Sequence, residues 1–306
     1  MNEVRQSTNK VVIVGELVSY NNVKQAINSK GSEYISGEAI IRTRINEQEY
    51  DHKVKFYANK LTSKGAPSKA YTGFVTAVNE DKTIEKHGQG DTIQVIGQLR
   101  ENAYAKDGEI KVYNEIALNF APKRVAATTQ HVASIEIEGI IRAMDKELVN
   151  ERPTDRMTVT LLSVGYGGAL TEITGIVPAD VVSGFKGMYR PERTGTLYFD
   201  MVPVLVQGEK KQELGFGKAT VQSTEFVKLE RVLTGGTNPL DRSEAYKTED
   251  IVQLLNARKL RHEEKLAEAE KNKQNNLGFG TMTTTATTPA ADVMGGENPF
   301  TADMPF

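Results

Sequence analysis

The chain of 306 residues contains no cysteine and no tryptophan, and its only histidines are His52, His87, His131 and His262. The absence of cysteine excludes disulfides, thiolate metal sites and cysteine nucleophiles. The histidines lack the spacing that zinc ligands require, so we expect no metal and no cofactor. No apolar run approaches the length of about 18 residues that a membrane span needs, and no signal peptide is recognisable. These absences predict a cytoplasmic protein without a membrane partner.

Motifs of the common enzyme classes are missing as well. The sequence has no phosphate-binding loop of the GxxxxGK[ST] type and no GxSxG elbow that would present a nucleophilic serine. Neighbouring carboxylates, such as Asp145 with Glu147, have the pattern of solvated loop charges. We therefore expect a binding protein and no enzymatic activity.

Alternating apolar residues and turn signals dominate residues 1–124. They predict five strands with one short helix between the third and the fourth, which is the element order of an OB-fold, a small five-stranded Greek-key barrel. The predicted strands are Val11–Tyr20, Ala39–Ile45, Tyr50–Tyr57, Thr92–Leu99 and Glu109–Phe120, and the predicted helix is Lys69–Val78.

Residues 132–234 repeat this order after a short polar linker at 125–131, and Gly139 takes the place in the first strand that Gly15 holds before. The expected fold class is therefore all-β, with two OB-folds in tandem. Whether the second barrel also binds a ligand or only structures or dimerises the protein stays open at this point. Its predicted strands are Ser134–Met144, Arg156–Val164, Thr171–Val177, Gly195–Val206 and Lys218–Val232, with a helix at Pro178–Tyr189.

The remainder of the chain is not β-like. Residues 235–276 predict a linker and one charged helix that begins near Thr248, with an apolar stripe of Ile251, Leu254, Leu255, Leu260 and Leu266. Residues 277–306 contain no Lys or Arg and are rich in Thr, Ala, Gly and Asn, which predicts a disordered acidic tail. The tail closes with a tip that offers an aromatic ring and a stiff proline to a protein partner, namely Asp303, Met304, Pro305 and Phe306.

The formal net charge of −2 conceals a basic front, because residues 1–124 carry 18 Lys and Arg against 15 Asp and Glu. In an OB-fold, the outward residues of the second, third and fifth strands share one surface. Cations on such a surface neutralise phosphates and tyrosines stack on bases, a combination that single-stranded nucleic acid requires. The alternative is a solvated barrel face without a ligand. The candidate residues are Arg42, Arg44, Lys53, Lys55, Tyr57, Lys111 and Tyr113 on the strands, with Arg100, Tyr104 and Lys106 on the connection beside them.

The segment Asp91–Arg124 (DTIQVIGQLRENAYAKDGEIKVYNEIALNFAPKR) and the closing Pro-Phe resemble the single-stranded DNA-binding (SSB) proteins of bacteria and their phages. The resemblance implies that the candidate surface binds DNA and that the C-terminal tip recruits proteins of replication, recombination and repair. The length and the second barrel resemble phage or mobile-element forms, which act in the host cytoplasm. The binding tryptophans of that family have no counterpart here, so tyrosine or phenylalanine would stack on the bases.

The sequence therefore predicts a protein that coats single-stranded DNA without strong sequence preference and that can form a homo-oligomer. Two alternatives remain. An OB-fold protein can bind single-stranded RNA through the same chemistry. A phage structural or assembly protein would be all-β and would bind only protein.

Overall fold

The computed structural model describes residues 4–149, 151–212 and 220–277, which are built mainly from β-strands. Within these residues, eleven strands form one continuous sheet that closes on itself twice. None of the described helices combines the length and the apolar character that crossing a bilayer requires.

The first barrel contains β1 (Asn9–Ile27), β2 (Glu33–Ile45), β3 (Gln48–Asn59), α1 (Lys69–Glu80), α2 (Ile84–His87), β4 (Thr92–Lys106) and β5 (Glu109–Leu118). Its strands follow the order β1-β2-β3-β5-β4, and β4 returns to pair with β1. Helices lie between β3 and β4, as in an OB-fold. Alternate residues of the strands, such as Ile13, Ile41, Val54 and Ile93, fill the interior without exposure to solvent.

The second barrel follows a two-residue strand, β6 (Lys123–Arg124), and contains β7 (Val132–Val149), β8 (Arg152–Val164), β9 (Leu170–Val177), α3 (Val182–Met188), β10 (Thr194–Gln212) and β11 (Thr220–Gly236). Its order is β7-β8-β9-β11-β10, and β10 returns to pair with β7. Both barrels therefore close in the same way. The predicted tandem OB-fold is confirmed, whereas the predicted tail lies outside the described residues.

Gly15 and Gly139 occupy equivalent places in the first strands of the two barrels. A Cβ atom on Gly15 would lie 2.3 Å from the carbonyl oxygen of Arg42, and one on Gly139 would lie 2.7 Å from that of Leu162. Both contacts are far below van der Waals distance, so only glycine permits the neighbouring strand to approach so closely.

The two barrels are joined by hydrogen bonds between their first strands. Residues from Asn9 to Val14 on β1 pair in antiparallel register with residues from Ile137 to Val132 on β7. Ile13 and Ile135, on the two sides of this seam, belong to one buried apolar cluster. The barrels thus share both a sheet and a core.

Helix α4 (Thr248–Leu277) follows the second barrel. Its first turns dock through Ile251, which is buried with Tyr246 against β7, β8 and β9. The predicted stripe is wrong at Leu260, because this side chain is 60% exposed. The face that contacts the barrels continues instead through Arg258, His262 and Lys265.

Residues 100–106 were predicted as a connection, but they belong to β4. This strand continues beyond the barrel and forms a long hairpin with β5, which turns at Asp107 and Gly108 with φ of 54° and 79°. Positive φ at both central residues is the geometry of a type I′ turn, which an Asp-Gly pair favours. The projecting ribbon was missed because its faces lack the apolar alternation of a barrel strand.

Candidate nucleic-acid interface

The outward face of β2 and β3 carries Arg42, Arg44, Lys53 and Lys55, each next to at least one buried residue. Strand alternation places these side chains outside because Ile41, Thr43, Val54 and Phe56 point into the core. The structure thus brings the four predicted cations of these strands onto one surface.

These cations are paired with carboxylates. Arg42 donates two hydrogen bonds to Asp51 across the hairpin, at 2.7 and 2.9 Å, and the Nε of Arg44 donates to Glu49 at 2.9 Å. The hydrogen bond from Arg42 lowers the pKa of Asp51, and the one from Arg44 lowers the pKa of Glu49. The surface is therefore less positive than its cations suggest.

The lysines of β3 follow the same rule. The Nζ of Lys53 lies 3.3 Å from a carboxylate oxygen of Glu38 on β2, and that of Lys55 lies 2.7 Å from Glu115 on β5. These acids were not part of the sequence prediction. The register of the β2–β3 hairpin, in which Arg44 faces Glu49 and Arg42 faces Asp51, is the signal that would have revealed two of the pairs.

Tyr57 stacks on Tyr34 with ring centroids 5.1 Å apart, and its hydroxyl donates to Asn59. Tyr34 was not predicted. The two rings form a small aromatic surface at the end of β2 and β3 that is remote from Arg44.

The β4–β5 hairpin brings the other five predicted residues onto one of its faces. Its register places Tyr104 opposite Lys111 and Lys106 opposite Glu109, with Arg100 opposite Glu115. We call this face the hairpin face. It consists of Arg100, Asn102, Tyr104, Lys106, Glu109, Lys111, Tyr113 and Glu115.

The two tyrosines of the hairpin face are open to solvent. Tyr104 is 45% exposed and Tyr113 is 44% exposed, and their rings meet edge to face with centroids 6.0 Å apart. The Tyr113 hydroxyl accepts a hydrogen bond from the side chain of Asn102 at 2.8 Å. Large rings held in place yet exposed are suited to stacking on a ligand.

Charge on the hairpin face is partly desolvated. Arg100 is half-buried, and burial lowers its pKa to about 10. Lys106 is exposed near the turn, and Lys111 pairs with its neighbour Glu109 at 2.5 Å. Cations and rings thus alternate along the hairpin, as the sequence predicted.

The opposite face of the hairpin is covered by α4 and β9. Arg258 on α4 donates to Glu101 on β4 at 2.9 Å and to Glu172 on β9 at 3.2 Å. The side chains of Arg258 and Glu101 are only 15% and 11% exposed. Lys265 adds a hydrogen bond to the carbonyl oxygen of Ala103 at 3.0 Å. This cluster, which the sequence prediction missed, holds the hairpin against the second barrel.

A cleft of about 700 Å³ separates β3 and β5 of the first barrel from β11 of the second. One wall carries Lys53, Lys55 and Tyr113 from the predicted surface. The other wall consists of residues that the sequence prediction did not include, namely Met201, Phe226, Val227, Lys228, Leu229 and Arg231.

The predicted protein-binding tip, Asp303 to Phe306, lies outside the described residues. It stays a prediction.

The strand order of the two barrels defines the chain as a tandem OB-fold protein. A family model described as YorF matches residues 7–273, and the chain therefore belongs to the YorF family. No curated protein matches it.

Solved structures with some similarity include two of the single-stranded DNA-binding protein from Thermus aquaticus. The wild-type protein has 11% identity and a TM-score of 0.47, covering 78% of this chain and 95% of its own. A deletion mutant has 12% identity and a TM-score of 0.45, covering 80% and 98%. A Plasmodium falciparum SSB complex with single-stranded DNA has 16% identity and a TM-score of 0.24, covering 39% and 90%. These scores are low, so the description of the barrels rests on their own strand order.

Proposed function

We propose that this protein binds single-stranded DNA without strong sequence preference and coats it through the first barrel. The observation that carries this proposal is the hairpin face, where exposed Tyr104 and Tyr113 lie among Arg100, Lys106 and Lys111. Stacking on an aromatic ring contributes about 1–3 kcal/mol per base and does not depend on base identity. Duplex DNA hides its base faces, so the same rings offer it little.

The ion pairs on β2 and β3 are compatible with this function. Exposed ion pairs such as Arg44 with Glu49 contribute at most about 1 kcal/mol, so a phosphate can replace the carboxylate at small cost. The paired acids also hold the cations in place and limit non-specific attraction of other polyanions. Binding should therefore weaken strongly as the salt concentration rises.

We further propose that the segment Asp303–Phe306 recruits proteins of replication, recombination or repair in the cytoplasm, which in a phage-encoded protein is the cytoplasm of the host. Its support is chemical: an apolar ring and a proline beside an acid suit a shallow apolar pocket with a basic rim. Deleting these four residues should leave oligonucleotide affinity unchanged and abolish the capture of partner proteins. A loss of DNA affinity on this deletion would contradict the separation of roles.

The direct test of DNA binding is a titration of the full chain into a fluorescent oligo-dT, monitored by anisotropy at two salt concentrations. Matched duplex DNA and oligo-rU serve as competitors. We expect oligo-dT to bind much more tightly than the duplex and its affinity to fall with salt. Equal affinity for single-stranded and duplex DNA would overturn the proposal, and preference for oligo-rU would identify an RNA-binding protein instead.

A further inference from the structure

The two walls of the cleft differ in how their positive charge is compensated. On the first-barrel wall, Lys53 and Lys55 pair with Glu38 and Glu115. On the opposite wall, Lys228 and Arg231 of β11 make no direct ion pair with a carboxylate of the described residues, although the charge of Lys228 interacts at longer range with the carboxylate of Glu147. Within the described residues, the cleft cations that lack a direct ion pair thus belong to the second barrel, although the sequence pointed to the first.

Arg231 is the more informative of the two. Its side chain is half-buried near Tyr50, and its guanidinium donates a long hydrogen bond of 3.4 Å to the carbonyl oxygen of Thr174. Burial lowers its pKa. A buried cation without a counter-charge is unfavourable, and an anion that enters the cleft would relieve this.

The strand that carries Arg231 is well placed to follow an extended ligand. Between Phe226 and Arg231, β11 pairs with β10, whereas it meets β9 only at Val232. Consecutive residues of this stretch from Phe226 to Leu229, whose side chains point to opposite faces of the sheet, all line the cleft. The edge of the strand therefore faces it. Phe226 is 51% exposed there, so its ring is open to contact with a ligand in the cleft.

We propose that this cleft holds the sugar–phosphate backbone of a single strand, with Arg231 and Lys228 as phosphate ligands and Phe226 as a ring that stacks on a neighbouring base. The inference rests on the proposed function and gives the second barrel a direct part in it. A volume of about 700 Å³ lies within the range of small-molecule clefts, about 300–1,000 Å³, which suits a few nucleotides of one strand. The wall formed by β11 therefore selects against duplex by shape, independently of stacking.

The test uses the full chain with Lys228→Gln, Arg231→Gln and the double variant, titrated into the same fluorescent oligo-dT over a series of salt concentrations. Each substitution should raise Kd about tenfold. Each should also lower the slope of log affinity against log salt by about 0.7, because one phosphate contact is lost. Lys186→Gln, an exposed lysine of α3 outside the cleft, is the matched control and should change neither quantity.

Thermal unfolding separates binding from a structural role. Removing the uncompensated charge of Arg231 should leave Tm unchanged or raise it, while affinity falls. If Arg231→Gln does not fold, Lys228→Glu on the exposed side of the strand still decides the question through Kd and the salt slope.

The outcomes are distinguishable. If the double variant keeps wild-type affinity and salt slope while substitution of Tyr104 and Tyr113 weakens binding, the cleft proposal is wrong and the proposed function stands. If the wild-type chain binds no oligonucleotide, both are wrong.

Discussion

The two barrels share strand order, closure and the glycine in the first strand, yet their surfaces differ in exposed rings and in the ion pairing of their cations. The first barrel presents two exposed tyrosines on its β4–β5 hairpin and cations that are neutralised across β2, β3 and β5. The corresponding β10–β11 hairpin of the second barrel presents Phe226 and two cations without ion-pair partners in the described residues. Tyr113 of the first barrel and the cations of β11 therefore lie on opposite walls of one cleft.

This difference shows that two barrels of the same strand order can carry different surfaces. A barrel core tolerates little variation because its interior is close-packed, whereas the projecting hairpins are free to differ. The hairpins face each other across the cleft, and the two barrels are joined by the β1–β7 pairing and by the contacts of Arg258 on α4 with β4 and β9. Each of the following predictions changes one element of this comparison, from the largest expected effect to the smallest.

Arg258→Ala removes the ion pairs that join Glu101 on the hairpin of the first barrel to Glu172 on β9 of the second. It leaves the largely buried Glu101 without its counter-charge, so we expect the free energy of unfolding to fall by about 3 kcal/mol. Chemical denaturation measures this change. The control is Lys259→Ala at the residue after Arg258, which breaks an exposed ion pair with Glu263. It should change the free energy of unfolding by less than about 0.5 kcal/mol. Equal effects of the two substitutions would show that α4 does not join the barrels.

Combined Tyr104→Ala and Tyr113→Ala substitution removes the rings of the first barrel. Two stacking contacts are lost, so we expect Kd for oligo-dT to rise about 100-fold with little change in the salt slope. Anisotropy titration measures both quantities. Tyr166→Ala removes an equally exposed ring from the second barrel outside the cleft and should leave Kd unchanged. If the Tyr166 variant loses as much affinity as the double variant, binding is not centred on the hairpin face.

His52 makes the core of the first barrel sensitive to pH, whereas residues 132–236 contain no histidine. Burial lowers the pKa of His52 to about 4, and its ring lies 2.9 Å from the hydroxyl of Thr43. The unfolded chain, with an ordinary pKa near 6.5, therefore binds the proton more readily between these values, and stability falls as pH drops through this window. We expect a loss of about 2 kcal/mol from pH 7 to pH 5.

Denaturant titration of the wild type and His52→Gln at both pH values isolates this contribution, since the carboxylates titrate alike in both proteins. His87→Gln, at an exposed histidine, is the control. A wild-type loss that persists in His52→Gln would assign the pH dependence to other groups.

Asp51→Asn removes the closer of two carboxylate partners of Arg42 on the first barrel and leaves the pair with Glu49 at 3.8 Å. Because the exposed pair contributes little to folding, stability should change by less than about 1 kcal/mol. Affinity for oligo-dT should rise about threefold, with a steeper salt dependence, since Arg42 is then held only by the longer pair with Glu49 and can contact phosphate. Glu263→Gln on α4 removes an acid remote from this surface and should not alter affinity. If Asp51→Asn does not raise the affinity for oligo-dT, the bound DNA does not pass over Arg42.

Much of this architecture could be predicted from the sequence because barrel strands alternate strictly. Ile41, Thr43 and Ile45 on one side and Arg42 and Arg44 on the other fix which face is outward. The ion pairs were missed because they depend on the turn at Asn46 and Glu47, where φ is 51° and 63°. Such a two-residue turn sets the register, but without glycine its signal is weak.

The cleft and the α4 contacts could not be predicted in this way. They depend on how the two barrels are placed, and no local pattern encodes the pairing of Asn9–Val14 with 132–137. Leu260 shows the same limit, since apolar periodicity alone assigned it to a face that Arg258 and His262 occupy.

The pairing between β1 and β7 also has a kinetic consequence. Because the strands share a ladder of backbone hydrogen bonds, separating the barrels would require breaking it, and we expect the cleft to keep its width in the free protein. Binding then costs conformational entropy of the ligand, but no further entropy is lost to order the protein beforehand. Association should therefore be a single step whose rate is governed by diffusion and charge, with no slower closing phase behind it.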